Sequence, residues 1–277
     1  MTRPKALDLY CGAGGAAKGL HDAGFDVIGV DKVFSKNYPY PMIVCDVLEV
    51  ERFLDLGIFD FVWASAPCQR WSKATPASKR DSHPDLIQST REILGRAEKL
   101  GACTAMENVP KAPLRADIIL DGVHFGLPLE RRRIFEVNFP TNNLQVGPRA
   151  RPEAGQLTGP EIGPAPRMQD GPLFQAQDGP EFGGLPRAFS VAGGGGGDKG
   201  SMEEWSQAMG IDWMTRREIV QAVPPVYSEA IGRCALDFIQ SGKQQEPEDK
   251  TPPEEFIALS NQQTQKITHS VKASLNN

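Results

Sequence analysis

The residues best suited to chemistry begin with Cys68, in Ala64-Ser-Ala-Pro-Cys-Gln-Arg-Trp-Ser72. A thiolate is a strong nucleophile, and the nearby Arg70 is expected to lower the thiol pKa. Read alone, a Pro-Cys turn is a structural cysteine more often than a reactive one. Glu107, in Met106-Glu-Asn-Val-Pro110, is a carboxylate at a strand end. It can serve as an acid or hydrogen-bond a heterocycle, or simply cap the turn. In Glu130-Arg-Arg-Arg-Ile-Phe135, Arg131 and Arg133 share one face if the segment is a strand. Paired guanidiniums suit a carboxylate, a phosphate or a base carbonyl, with a solvated basic edge as the alternative. The fourth feature is Asp8-Leu-Tyr-Cys-Gly-Ala-Gly-Gly15. Its glycines let backbone approach a ligand, and the helix expected next offers N–H groups to an anion. The spacing is GxGG, not the GxGxxG dinucleotide fingerprint. Asp31 and Asp46 end the next two strand-like runs, where an acid can hold ribose hydroxyls or merely cap a turn.

These residues need a scaffold that brings strand ends together. Apolar runs at 6–10, 26–31, 42–47, 59–64, 104–109 and 133–139 alternate with helix-like stretches, including 16–23 and an amphipathic 85–100. That order predicts an α/β fold with a doubly wound, mainly parallel sheet, whose ligands bind at the carboxyl ends of the strands. Residues 1–139 read as the catalytic and cofactor-binding domain. From Pro140 to Gly200 there are 14 Gly and 9 Pro among 61 residues, which reads as a small, loop-rich region. Residues 201–242 read as helices returning to the first domain, one from Thr215 to Val223 and one from Val226 to Ser241. Residues 243–277 read as a polar tail.

The formal charge, 30 basic against 35 acidic residues, is −5, so nothing global advertises nucleic acid, although a local basic groove can exist on an acidic protein. At 40% hydrophobic and 23% charged, the composition excludes wholesale disorder. Five scattered cysteines without a CxxC pair predict no metal site. No apolar run is long enough for a bilayer and no signal-peptide pattern opens the chain, so a cytoplasmic protein without membrane contact is expected.

In combination, DLYCGAGG, Asp31, Asp46, PCQRWS, ENV, RRRIF and QAVPP resemble the cytosine-C5 DNA methyltransferase family. The resemblance runs from Leu7 to about Phe139 and resumes from about Ser190 to Ile239. It implies the class I S-adenosylmethionine-dependent methyltransferase fold and a methyl transfer to C5 of a cytosine flipped out of double-stranded DNA. Cofactor contacts would come from Tyr10, Cys11, Gly12, Ala13, Gly14, Gly15, Asp31, Lys32, Asp46, Val47 and Pro67. Tyr10 would lie against the adenine, Asp31 would hold the ribose, and Asp46 with Val47 the adenine. Cys68 would add to C6 of the ring. Glu107 would hydrogen-bond N3 and the exocyclic amine, and one of Arg131 and Arg133 would hold the base carbonyl. Gln69, Ser72 and Asn108 would line the substrate side.

The chain departs from the family pattern at Leu129, where a Gln is usual, at Arg70-Trp71, at Lys32, and in its short recognition region. That region carries five basic and six acidic residues between 140 and 200, so few base contacts and a short target are expected. A stand-alone, monomeric methylase, with or without a partner nuclease, is the expectation. The alternatives are the same fold acting on RNA or a single strand, a non-catalytic DNA-binding relative, or transfer of a different group.

Overall fold

The computed structural model describes residues 2–147 and 200–243. The recognition region expected at 140–200, beyond its first eight residues and Gly200, and the tail after Lys243 lie outside the described residues. Seven strands form one sheet: β1 (Lys5–Leu9), β2 (Asp26–Asp31), β3 (Met42–Val44), β4 (Phe61–Ala64), β5 (Cys103–Asn108), β6 (Ile118–Leu120) and β7 (Arg133–Val137). Their order is β3-β2-β1-β4-β5-β7-β6. The first five in that order run parallel, and β7 runs antiparallel to both β5 and β6. The expected doubly wound, mainly parallel sheet is therefore present.

Among the described residues six α-helices accompany the sheet: α1 (Gly15–Ala23), α2 (Ala77–Arg80), α3 (Ile87–Lys99), α4 (Met202–Met209), α5 (Arg216–Ile219) and α6 (Pro225–Lys243). Strand residues alternate between two apolar layers, as the pleat requires. Ala6, Phe61, Trp63 and Phe135 face α1 and α6. Leu7, Leu9, Val62 and Met106 face the layer that holds Ile93 and Leu94 of α3. Gly19 lets α1 lie directly on α6, because a Cβ there would run into the Pro225 carbonyl and the Ser228 hydroxyl.

Two sequence expectations need correction. The helix expected from Thr215 to Val223 is one turn, ending at Ile219. The carbonyls of Val220 and Ala222 instead accept hydrogen bonds from Arg131. Pro225, expected to precede the last helix, is its first residue, where a missing N–H costs nothing. β6 was not anticipated, since three apolar residues give too little period to read.

Candidate active site

All five parallel strands end at one edge, and their following loops carry the residues singled out above. Because β7 is antiparallel, it starts where the others finish, which brings Arg133 beside Glu107. The register pairs Glu107 with Phe135 and Asn108 with Ile134.

On the base side, Cys68 is half-buried and opens a tight turn, its carbonyl accepting from the amides of Trp71 and Ser72 at 2.9 and 2.8 Å. Glu107 is 6% exposed and pairs with Arg133, Nε to Oε1, at 2.8 Å. Burial pushes the Glu107 carboxyl up, while Arg133, Arg131 and a hydrogen bond from Ser65 hold it back. Burial and the Glu107 charge raise the Cys68 thiol, opposed by Arg133 and Arg131. The expectation of a thiol lowered by Arg70 is therefore overturned. The Arg70 guanidinium turns away to Asp81 at 3.2 Å and to the His83 carbonyl at 3.3 Å.

Asn108 is fully buried. Its Nδ2 donates to the Ala66 carbonyl at 2.9 Å, and its Oδ1 accepts from the Val109 amide, so it braces the Pro67-Cys68 turn from behind. Gln69 is exposed at the mouth, and Ser72 is half-buried, its Oγ accepting from the Ala74 amide at 3.1 Å. Leu129 is 0% exposed and packs with Trp205, Met209 and Ile211. The position that departs from the family pattern thus belongs to an apolar cluster under α4.

Arg131 departs from the reading as a strand neighbour of Arg133. It precedes β7, is 4% exposed, and sends Nε and Nη2 to the carbonyls of Ala222 and Val220 at 2.6 to 3.0 Å.

On the cofactor side, the loop after β1 has left-handed backbone at Tyr10 (φ 59°), Gly12 (φ 51°) and Gly14 (φ 90°). For Tyr10 this is strain that its surroundings must hold. The Tyr10 hydroxyl meets Thr90 Oγ1 of α3 at 2.9 Å. Gly12 faces open space, and its amide donates to Asp31 Oδ2 at 3.1 Å. The rest of the loop is packed. Cys11 is buried in the main core, the Ala13 carbonyl accepts from Trp213 Nε1 at 2.9 Å, Gly14 lies under Tyr38 and Pro39, and Gly15 abuts residues 222–223. These four can offer a ligand only backbone. The N-cap Gly14 makes no side-chain cap bond to α1, while the Ala17 amide in its first turn acts on the buried Asp8 carboxyl.

Asp31 is half-buried, Lys32 and Asp46 are exposed, and Pro67 is half-buried. The Val47 side chain is buried in the α3 layer, so it too can contribute only backbone. Burial and the charges of Asp46 and Asp31 raise the Tyr10 hydroxyl pKa, opposed by the bond to Thr90. Asp8, fully buried on β1, has its carboxyl pushed well above the usual range by burial and by Asp31.

Residues 5–113 match the family model of the C-5 cytosine-specific DNA methylases. Over a stretch of 102 residues this chain is 34% identical to the Type II methyltransferase M.XorII of Xanthomonas oryzae pv. oryzae, covering 31% of this chain and 24% of that one. It is 26% identical over 164 residues to the Type II methyltransferase M.AgeI of Thalassovita gelatinovora, covering 47% and 38%. The chain thus spans well under half of the length of these two curated relatives. In fold it is similar to the Entamoeba histolytica methyltransferase EhMeth, with a TM-score of 0.51 at 13% identity, over 86% of this chain and 99% of that one. A prophage-encoded E. coli protein described as a DNA modification methyltransferase gives 0.50 at 16% identity over the same shares.

Sequence reasoning passed over two residues of the candidate site. Ser65 accepts from Trp63 Nε1 at 2.8 Å and hydrogen-bonds Glu107. The parallel register, Ala64 beside Met106, places Ser65 next to Glu107, so pairing the two strands would have found it. Thr90, which ties Tyr10 to α3, left no local signal.

Proposed function

We propose that this chain is a DNA (cytosine-5-)-methyltransferase that uses Cys68 as a covalent nucleophile. The observation that carries the reading is the convergence of a half-buried thiol, a buried carboxyl and an arginine at one sheet edge, next to a glycine loop flanked by two acids. The flipped cytosine would enter over Cys68. Its sulfur bonds to C6, and a proton from Glu107 goes to N3, so the electron pair displaced from the C5–C6 bond makes C5 nucleophilic. A carboxyl raised by burial suits that donation. Arg133, fixed by Glu107, can hold the base carbonyl. After transfer to C5, a base removes the C5 proton, the Cys68 sulfur leaves as a thiolate with its electron pair, and the N3 proton returns to Glu107.

S-adenosylmethionine supplies the electrophilic methyl group, and the residues present fit it. The α1 N-terminus, which no side chain caps, suits its carboxylate, open Gly12 allows close approach, and Asp31 suits the ribose hydroxyls. Lys32, Asp46, Val47 and Pro67 complete that side. Gln69 and Ser72 lie toward the DNA, and the protein acts as a monomer on the duplex. The test is incubation with labelled S-adenosylmethionine and plasmid DNA, then sequencing for 5-methylcytosine. Label on cytosine C5 in a defined context is expected. Label confined to RNA or single strands would favour the alternative acceptor, and no transfer would overturn the reading.

A further inference from the structure

We infer that Arg131 is a positioning residue for the cofactor loop and not a holder of the target base. The inference rests on the methyltransferase reading above. Arg131 stands two residues before Arg133, within electrostatic reach of Cys68 and Glu107, yet its guanidinium grips the opposite wall. Nε and Nη2 reach the Ala222 carbonyl at 2.9 and 2.6 Å, and Nη2 also reaches the Val220 carbonyl at 3.0 Å. Its own backbone is fixed at both ends: the amide donates to Asp121 Oδ1 at 2.7 Å and the carbonyl accepts from Tyr227 Oη at 3.1 Å.

The gripped segment is the back wall of the cofactor loop. A Cβ on Gly15 would strike the Val223 carbonyl and lie 3.0 Å from Ala222 Cβ. Just upstream, Trp213 holds the Ala13 carbonyl, and Glu218 accepts from Asn37 Nδ2 at 2.8 Å. Residues 213–223 therefore brace both the 13–15 turn and the loop after β2, and Arg131 fastens that brace beside the base site. Charge-assisted hydrogen bonds to two carbonyls are strong and directional. Losing them frees the segment at Gly15, where the first amides of α1 must be aimed.

The test compares Arg131→Met, Arg131→Lys and Tyr227→Phe in the full chain. Each is assayed for S-adenosylmethionine affinity by calorimetry and for KM toward cofactor and DNA. The expected result is a cofactor Kd weakened about tenfold in Arg131→Met and about threefold in the milder pair, as for lost charge-assisted and neutral bonds. The KM for DNA is expected to stay near the wild-type value. Wild-type cofactor affinity in all three, with DNA binding or kcat lost in Arg131→Met, would overturn the inference and return Arg131 to the base. Should Arg131→Met fail to fold, the Tyr227→Phe and Arg131→Lys pair decides by the same split. Wild-type protein that neither binds the cofactor nor modifies DNA would instead strike the functional reading.

Discussion

At Cys68 the protein does not prepare a free thiolate; burial and the Glu107 charge favour the thiol, opposed by Arg133, Arg131 and a backbone hydrogen bond. Cys68 and Glu107 therefore compete for ionisation, and the proposed reaction calls for a thiolate beside a protonated carboxyl, one proton shared by the pair. Ser65 sets the balance. An indole N–H can only donate, so with Trp63 donating to Ser65 the single hydroxyl hydrogen is left for Glu107, where it favours the carboxylate. Ser65→Ala removes that bond and raises the Glu107 pKa further. Of the two groups Glu107 ionises first, so the acid limb of the rate profile should move to higher pH by about half a unit to one unit. A profile identical to wild type would show that Ser65 does not act on Glu107. Cys68→Ser should end turnover while S-adenosylmethionine binding, measured by calorimetry, stays within about twofold, because Gly12 and Asp31 are untouched. The meeting of Cys68 and Glu107 at one sheet edge was legible from motif order alone. The direction of the Cys68 shift was not, since the adjacent Arg70 leaves for Asp81 and the charges that matter arrive from β5 and β7.

Element by element, the strands with clear apolar runs and the helices at 15–23 and 87–99 followed from the pattern, and Gly24 closes α1 as expected, its amide reaching the Leu20 and His21 carbonyls. What the pattern could not give was set by partners distant in sequence. α5 stops because Arg131 takes the carbonyls beyond it, and β7 reverses direction so that Arg133 can meet Glu107. Two predictions belong here. Gly19→Ala forces a methyl group into the α6 backbone and should cost about 1–3 kcal/mol in urea unfolding. Unchanged stability would show that α1 and α6 can part without penalty. Arg91 of α3 pairs with Glu136 of β7 through two bonds of 2.9 Å and holds the Glu136 carboxyl below its usual range. A lowered folded pKa gives stability that is present above the unfolded value and lost as pH falls through the folded one. Glu136→Gln should therefore destabilise by about 1 kcal/mol at pH 7 and progressively less below pH ~4.5. A penalty of equal size at pH 7 and at low pH would refute that coupling.

Across the molecule, one sheet edge gathers the glycine loop after β1, Cys68, Glu107 and Arg133, and helices pack on both faces of the sheet. The last described strand ends at Val137 and α4 begins at Met202. Target choice, assigned to residues 140–200, falls mainly outside the described residues. Among the described residues no helix is long and apolar enough to cross a membrane, and no cluster of side chains is arranged to hold a metal ion. The account turns on a covalent bond between Cys68 and the target base, and a suicide substrate tests that bond most directly. Duplex DNA substituted throughout with 5-fluorocytosine is incubated with the full chain and S-adenosylmethionine, then denatured. A carbon–fluorine bond cannot release a proton equivalent, so the enzyme should remain attached to the DNA, and Cys68→Ser should leave no attachment. Methylation of ordinary DNA with no trapped complex, or trapping that persists in Cys68→Ser, would contradict it.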